Sequence, residues 1–472
     1  MKSLNRSQIT TQSLPIKILQ FGNGNFIRGF LDWMVQKTID QGYFKGGIHS
    51  VQIHSSAVDQ RMLEQNCLFH VAEMGIYEQE KTQQYSLISC VQNYSSIFES
   101  YDAFLQLAEN PDLEFIFSNT TEAGIEFDPN DSDFTSIPKT FPGKLTALLY
   151  RRFQVFEKTD KPLGIIPLEL LENNGDLLKS CVLKYAKLWG LSDAFTQWLD
   201  SYCIFCNTLV DRIVPGYPKN KAIEIQQKIG FEDQLLVQAE PYYFLAIERG
   251  EKIKNQLGWE KAGLNVKFVK DISPYRLRKV RILNGAHTAM VPFAYLLGCR
   301  TVRESINDER IGQWIRELIF QEIVPSMDLE ESELKTYAKA ILERFENPFL
   351  DHQLESIALN SISKFRIRVL TSILEYHNKF QKWPEQLLFA FAALILIYKG
   401  KNQGKALPLK DNPEILEFFL RSWNLENRSV SIKGILQNQN LWGQDLYILP
   451  GLAKTLLKAL KKLESELNSS EG

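Results

Sequence analysis

Apolar positions in the first half of the chain fall into short runs separated by amphipathic stretches. PIKILQFG, HSVQIHSS, SLISCVQNY and LEFIFSNTT read as strands, whereas NFIRGFLDWMVQKTIDQ and SIFESYDAFLQLAEN repeat their apolar residues at helical spacing. LGIIPLEL at 163–170 and CIFCNTLVDRIVP at 203–215 predict two further strands, parted by the helical LLKSCVLKYAKLWG. Strands that alternate with helices predict a mostly parallel sheet covered on both faces, continuing to about residue 270. After VKFVKDISPYRLRKVR the period changes. SELKTYAKAILERF, LESIALNSISKFRIRVLTSILEYHNKF, EQLLFAFAALILIYKG and LAKTLLKALKKLESEL all carry helical periods. The expected organisation is an α/β domain over residues 1–273 followed by an all-helical domain over 274–472, with Pro274 and Pro384 placed as first-turn prolines.

A length of 472 residues at 44% hydrophobic suits two domains with substantial cores. Fifty-four basic against 56 acidic residues leave a net charge of -2, so nothing electrostatic favours nucleic acid or an acidic membrane, and small molecules are the expected partners. The longest apolar run, LLFAFAALILIY at 387–398, is short for a membrane span, and the polar N-terminus lacks a signal-peptide core. A soluble cytoplasmic protein is expected. The six cysteines are sparse. Cys203 and Cys206 form a CxxC inside a strand-like aromatic run, which predicts core thiols. No HxxxH or HxH occurs, and no metal is expected. The sequence leaves the oligomeric state open.

KILQFGNGNFIRGF, at 17–30, is a strand that runs into Gly22 and Gly24 with a helix expected to start near Asn25. Glycines there let the backbone approach a pyrophosphate, and the helix N-terminus offers free N–H donors. The third glycine of the usual dinucleotide fingerprint is displaced: Ile27 stands where it is expected, and the next glycine is Gly29. Arg28 is a candidate phosphate partner. The second strand ends in Gln52 to Ser56 without an acid until Asp59, so NAD over NADP is not secured. A second ligand-facing strand end is FIFSNTTEAGI, with Thr121 and Glu122.

RKVRILNGAHTAMV, at 278–291, carries the candidate chemistry. On an α-helix Lys279, Asn284 and His287 fall near about 0°, 140° and 80°, on one side. An amine for proton transfer, an amide for a developing oxyanion and an imidazole for a hydroxyl are what ketone reduction needs beside a nicotinamide.

GNGNFIRGF, TEAGI, TLVDRIVPGYP, KVRILNGAHTA and RFENPFLDHQL, in this order, together resemble the mannitol dehydrogenase (polyol-specific long-chain dehydrogenase) family from about residue 17 to about 370. The resemblance implies a Rossmann-type doubly wound N-terminal domain, a helical C-terminal domain, NAD as cofactor, no metal and an active site between the domains. It assigns the cofactor to Ile18, Leu19, Gln20, Phe21, Gly22, Asn23, Gly24, Asn25, Phe26, Ile27, Arg28 and Gly29, with Thr121 and Glu122. It also implies Lys279 as general acid/base, Asn284 as oxyanion donor and His287 as substrate ligand, with Asn207, Asp211 and Lys364 at the substrate. Two departures set the chain apart from polyol-specific members. PLELLENNG, with Glu169 and Leu170, replaces a CDN motif that supplies a second oxyanion asparagine, and Ser356 stands where an arginine precedes the substrate lysine by eight residues. PxELxxxNG matches the members acting on sugar acids, so a hexuronate and its aldonate are the expected substrates. Arg281, Arg366 and Lys364 are the candidate partners for their carboxylate.

Overall fold

In the computed structural model, which describes residues 1–120, 124–158, 161–402, 405–406, 409–425 and 427–469, the chain divides into two compact units. The first comprises Met1–Met74 and Lys81–Ser273, the second Gly75–Glu80 and Pro274–Gly472. The short segment groups with the second unit, where the Glu343 carboxylate accepts from Glu78 N at 3.1 Å and Gln79 N at 3.2 Å.

The first unit is built on a six-stranded sheet of β1 (Ile16–Phe21), β2 (Gly47–Gln52), β3 (Val91–Ser96), β4 (Phe115–Ser118), β5 (Leu163–Pro167) and β6 (Cys203–Phe205). All neighbours are parallel, in the order β3-β2-β1-β4-β5-β6. This is the doubly wound order that reverses direction between β1 and β4, where ligands bind at the carboxyl ends. Successive residues of β1 enter opposite cores, as a strand buried on both faces requires. Ile18 joins Phe30, Met34 and Phe115, while Leu19 and Phe21 join Val51, Ile116 and Leu148. Cys203 and Cys206 are core thiols that burial pushes up, Cys206 to about 12.

Two features of this unit escape the hydrophobic pattern. SLISCVQNY is not one strand: Glu80–Ile88 ends before Ser89 and β3 begins at Val91. The strand Phe69–Tyr77 is buried from Phe69 to Gly75, so no alternation marks it.

Among the described residues from Pro274 on, the second unit is mostly helical, with a short hairpin that pairs Lys401–Asn402 with Lys405–Ala406. Its centre is the helix Glu385–Ile397, buried at every position from Leu387 to Ile397 and packed on Gly285–Leu296 and Leu452–Ser469. An all-apolar surface of this kind belongs inside a core. Among the described residues no helix is long and apolar enough to cross a membrane. The segment expected as one helix over 354–380 is broken at Leu359 and Asn360, the latter at φ +52°, and resumes at Ser361–Phe365.

Candidate active site

Gly22 ends β1 at φ +109°, a conformation open to glycine, and a Cβ there would lie 3.1 Å from the Asn119 carbonyl oxygen. Its own carbonyl is held from behind by Gln20 Nε2 at 3.0 Å and Ser50 Oγ at 3.3 Å. Ile18, Leu19, Gln20 and Phe21 are buried supports of this turn and present no side chain to solvent. At Gly24 a Cβ would meet nothing within 4 Å, and no side chain caps the helix that begins at Asn25. Open space in front of an uncapped helix start fits a dinucleotide pyrophosphate. Asn23 and Phe26 are half-buried beside it, with Phe26 stacked on Phe30 at 5.1 Å. Ile27 is in the core.

Arg28 and Gly29 sit at the start of a π-helical turn, Arg28–Asp32. The expectation that Arg28 reaches a phosphate is not what the geometry supports. Its guanidinium is buried and donates to the carbonyls of Asn23 at 3.1 Å and Leu235, and to Asn25 Oδ1 at 2.9 Å. Its donors hold the loop together. The displaced glycine has a clear role: a Cβ on Gly29 would come within 2.9 Å of Val214 Cγ1 and 3.0 Å of Val237 Cγ1. Close helix packing, which the fingerprint's third glycine provides, is supplied here two residues later, by Gly29. Thr121 and Glu122 lie outside the described residues.

Beneath the loop Asp32 is fully buried, and neither carboxyl oxygen receives a hydrogen bond. Burial pushes its pKa up to about 8, against the pull of the Arg28 charge. A carboxyl that stays protonated when folded but ionises above about pH 4 when unfolded destabilises the fold progressively as pH rises from about 4 to about 8. Asp32→Asn is expected to flatten that dependence and to raise stability at pH 8 by about 1–3 kcal/mol. Urea unfolding of both proteins at pH 5, 7 and 8 checks this; parallel curves for the two would exclude a buried neutral acid.

At the end of β4, Glu169 accepts from Ser118 Oγ at 3.1 Å and from both Thr120 N and Oγ1 at 2.9 Å. The residue that replaces the polyol enzymes' motif therefore ties strand ends together, and it offers no donor. Asn207 was expected at the substrate, but its amide is spent inside the first unit. It donates to Asp176 Oδ2 at 2.9 Å and Glu248 Oε2 at 2.6 Å and accepts from Asp176 N at 3.0 Å. Asp211 is buried at the end of the strand Asn207–Asp211, paired with Phe244.

In the second unit the lysine helix is not a regular α-helix. An α-helical turn, Ser273–Arg278, passes into a π-helical turn, Lys279–Asn284, and then into the α-helix Gly285–Leu296. Hydrogen bonds in a π-turn join residues five apart, which brings Lys279 and Asn284 nearly into line. The K-x4-N spacing thus fits this turn better than the helix assumed from sequence. Asn284 and Thr288, four apart, continue the same line. His287 is buried beside it, stacked on Phe345 at 4.3 Å and edge-on to His352 at 5.2 Å, and burial lowers the His352 pKa. His352 lies in RFENPFLDHQL, one of the blocks that carry the family resemblance, and nothing in its spacing singled it out.

The π-turn Arg366–Leu370 packs against Lys279–Asn284, so closely that a Cβ on Gly285 would lie 3.1 Å from the Arg368 carbonyl oxygen. This brings Lys364 and Arg368 to the lysine helix. Lys364 Nζ donates to Ile357 O at 3.1 Å, and Arg368 Nη1 to Thr288 Oγ1 at 3.4 Å. Arg281 is excluded as a carboxylate partner: it is 1% exposed, bonded to Ser372 and Ser326 and paired with Glu375 at 2.8 Å. The arginine missed from sequence is Arg368, whose i,i+4 relation to Lys364 was the available signal.

Residues 16–261 match the family model of the mannitol dehydrogenase Rossmann domain, and residues 271–464 that of the mannitol dehydrogenase C-terminal domain. The chain belongs to the mannitol dehydrogenase family. Within the family it is 44% identical over 442 residues to the altronate oxidoreductase of Bacillus subtilis (strain 168), covering 93% of this chain and 90% of that one. The altronate oxidoreductase of Yersinia enterocolitica is 40% identical over 470 residues, covering 98% and 97%. Among solved structures, Pseudomonas fluorescens mannitol 2-dehydrogenase, in a ternary complex with NAD and D-mannitol, shares the fold at TM-score 0.67 and 20% identity, over 99% of this chain and 98% of that one. D-sorbitol dehydrogenase in substrate-free form does so at TM-score 0.78 and 19% identity, over 96% and 94%. The chain is an oxidoreductase of this family with a Rossmann domain followed by a helical domain.

Proposed function

We propose that this NAD-dependent oxidoreductase interconverts D-tagaturonate and D-altronate, by metal-independent reduction of a ketone with a lysine as general acid/base, in hexuronate breakdown. The observation that carries this reading is the Lys279, Asn284 and Thr288 line with His287 at its side, in a chain about two-fifths identical to altronate oxidoreductases over nearly its whole length. Gly22, Asn23, Gly24 and Asn25 are the residues to hold the dinucleotide. NADH, when bound, supplies the hydride for the ketone carbon.

Lys279 delivers the proton to the carbonyl oxygen, and takes it back when altronate is oxidised. The Asn284 amide donates to the same oxygen, a hydrogen bond that strengthens as negative charge develops there. His287 is held by Phe345 against rotation and orients a substrate hydroxyl.

The sister activities, fructuronate reductase and mannitol-type dehydrogenase, use the same groups on other substrates. Initial rates of NADH oxidation with tagaturonate, fructuronate and fructose, repeated with NADPH, separate them. Tagaturonate with NADH is expected to give the highest kcat/KM; equal or faster turnover of fructuronate or fructose would overturn the assignment. A dinucleotide-binding regulator would bind NADH and oxidise it with none of the three.

A further inference from the structure

A sugar acid brings a full negative charge into the site, and its recognition calls for a sheltered cation that the protein has not already neutralised. Around the lysine helix most cations are spoken for. Arg281 is paired with Glu375, and the Arg366 side chain runs towards Gly443, its Cδ 3.8 Å from where a Cβ there would stand. Ser356, at the position of the polyol enzymes' arginine, is exposed and donates to Gln353 O at 2.7 Å.

Arg368 and Lys364 differ from these. Each is half-buried, and neither has a carboxylate within ion-pair distance among the described residues. The hydrogen bond from Arg368 to Thr288 is long at 3.4 Å and goes to a neutral hydroxyl. Burial lowers both pKa values, and the charge of Arg368 lowers that of Lys364 further. Asp411 pulls the other way on Lys364, but its carboxylate already accepts from Tyr398 Oη and Ile362 N. Two like charges held four residues apart and partly out of water are costly until an anion lies between them.

We propose that Arg368, together with Lys364, seats the carboxylate of the sugar-acid substrate and so selects sugar acids over neutral ketoses. The inference rests on the reductase reading above and specifies how that site recognises its substrate. From Asn284 to Thr288 is one helical turn, a rise of about 6 Å. A six-carbon keto acid with its ketone oxygen at Lys279 and Asn284 extends along this line and brings its carboxylate to the Arg368 guanidinium. The planar fork of an arginine matches a carboxylate with two parallel hydrogen bonds, and the Lys364 ammonium adds a point charge.

The test compares wild type, Arg368→Gln and Arg368→Lys on tagaturonate and on D-tagatose, the same ketone with a hydroxymethyl group in place of the carboxylate. NADH binding by fluorescence confirms that each variant is folded. Arg368→Gln is expected to raise KM for tagaturonate about 10- to 100-fold, the scale of one charge-assisted contact, with kcat within a few-fold and tagatose turnover little changed. Arg368→Lys should recover part of the loss. An unchanged KM for tagaturonate, or equal losses on both ketones, would overturn the inference, as would a wild type that prefers tagatose. If wild type reduces fructuronate and not tagaturonate, the substrate assignment fails while Arg368 is judged by the same comparison on fructuronate and fructose.

Discussion

Lys279→Ala is expected to lower kcat with tagaturonate by about 100- to 10,000-fold, the range that a general acid/base contributes. The lysine stands on a π-turn whose geometry lines it up with Asn284. Alanine leaves the turn and the neighbouring packing intact because Lys279 is half-buried and not part of the core. Without the amine the alkoxide must take its proton from water, so the loss is expected to fall on kcat while the substrate contacts proposed for His287, Lys364 and Arg368 persist. NADH binding, proposed above for the Gly22 to Asn25 loop of the first unit, should remain near wild type by fluorescence titration. Retained turnover in Lys279→Ala would remove the lysine from the mechanism. Loss of NADH binding would mean that the variant is misfolded, a possibility the titration and thermal melting resolve.

Gly29→Val is expected to destabilise the first unit and to disturb the Gly22 to Asn25 loop. A Cβ there meets the Val214 and Val237 side chains at 2.9 and 3.0 Å, and the two γ-methyls of valine enlarge the overlap. Overpacking of this kind costs about 1–3 kcal/mol, which lowers Tm by roughly 2–4 °C per kcal/mol in a domain of this size. The strain falls on the π-turn carrying Arg28, whose bonds to Asn23 and Leu235 fix the loop, so weaker NADH binding should accompany the lower Tm. Calorimetry and fluorescence titration measure the two effects. A variant as stable as wild type would show that Gly29 is not the close-packing position.

The parallel sheet and the change to helices were legible because both leave periodic signatures: two-sided burial in β1 and β4, helical spacing in Glu331–Phe345 and Leu452–Ser469. The strand Phe69–Tyr77 was hidden by burial of nearly all its residues, which removes alternation. The break at Asn360 was hidden because the apolar period runs across it, and a left-handed asparagine leaves no gap in that pattern.

At the site, residue types were easier to read than directions. Lys279, Asn284 and His287 emerged from their convergence on one helix face, but the π-turn over Lys279–Asn284, which packs against Arg366–Leu370, leaves no mark in the apolar period. Arg28 and Asn207 illustrate the converse. Each is a polar residue beside an expected ligand-binding motif, and in each case one of the hydrogen-bond partners that consume it is distant in sequence, Leu235 for the arginine and Glu248 for the asparagine. Arg281 looked like an available cation on the lysine helix, yet its guanidinium is taken up by Ser326, Ser372 and Glu375.

The most direct test is the reverse reaction: the initial rate of NAD reduction by the purified protein with D-altronate, beside D-mannonate and D-mannitol. D-altronate is expected to give the highest kcat/KM, with D-mannitol slower by at least about 10-fold for want of a carboxylate to meet Arg368. Faster oxidation of D-mannitol or D-mannonate, or no NAD reduction with D-altronate, would contradict the proposed function.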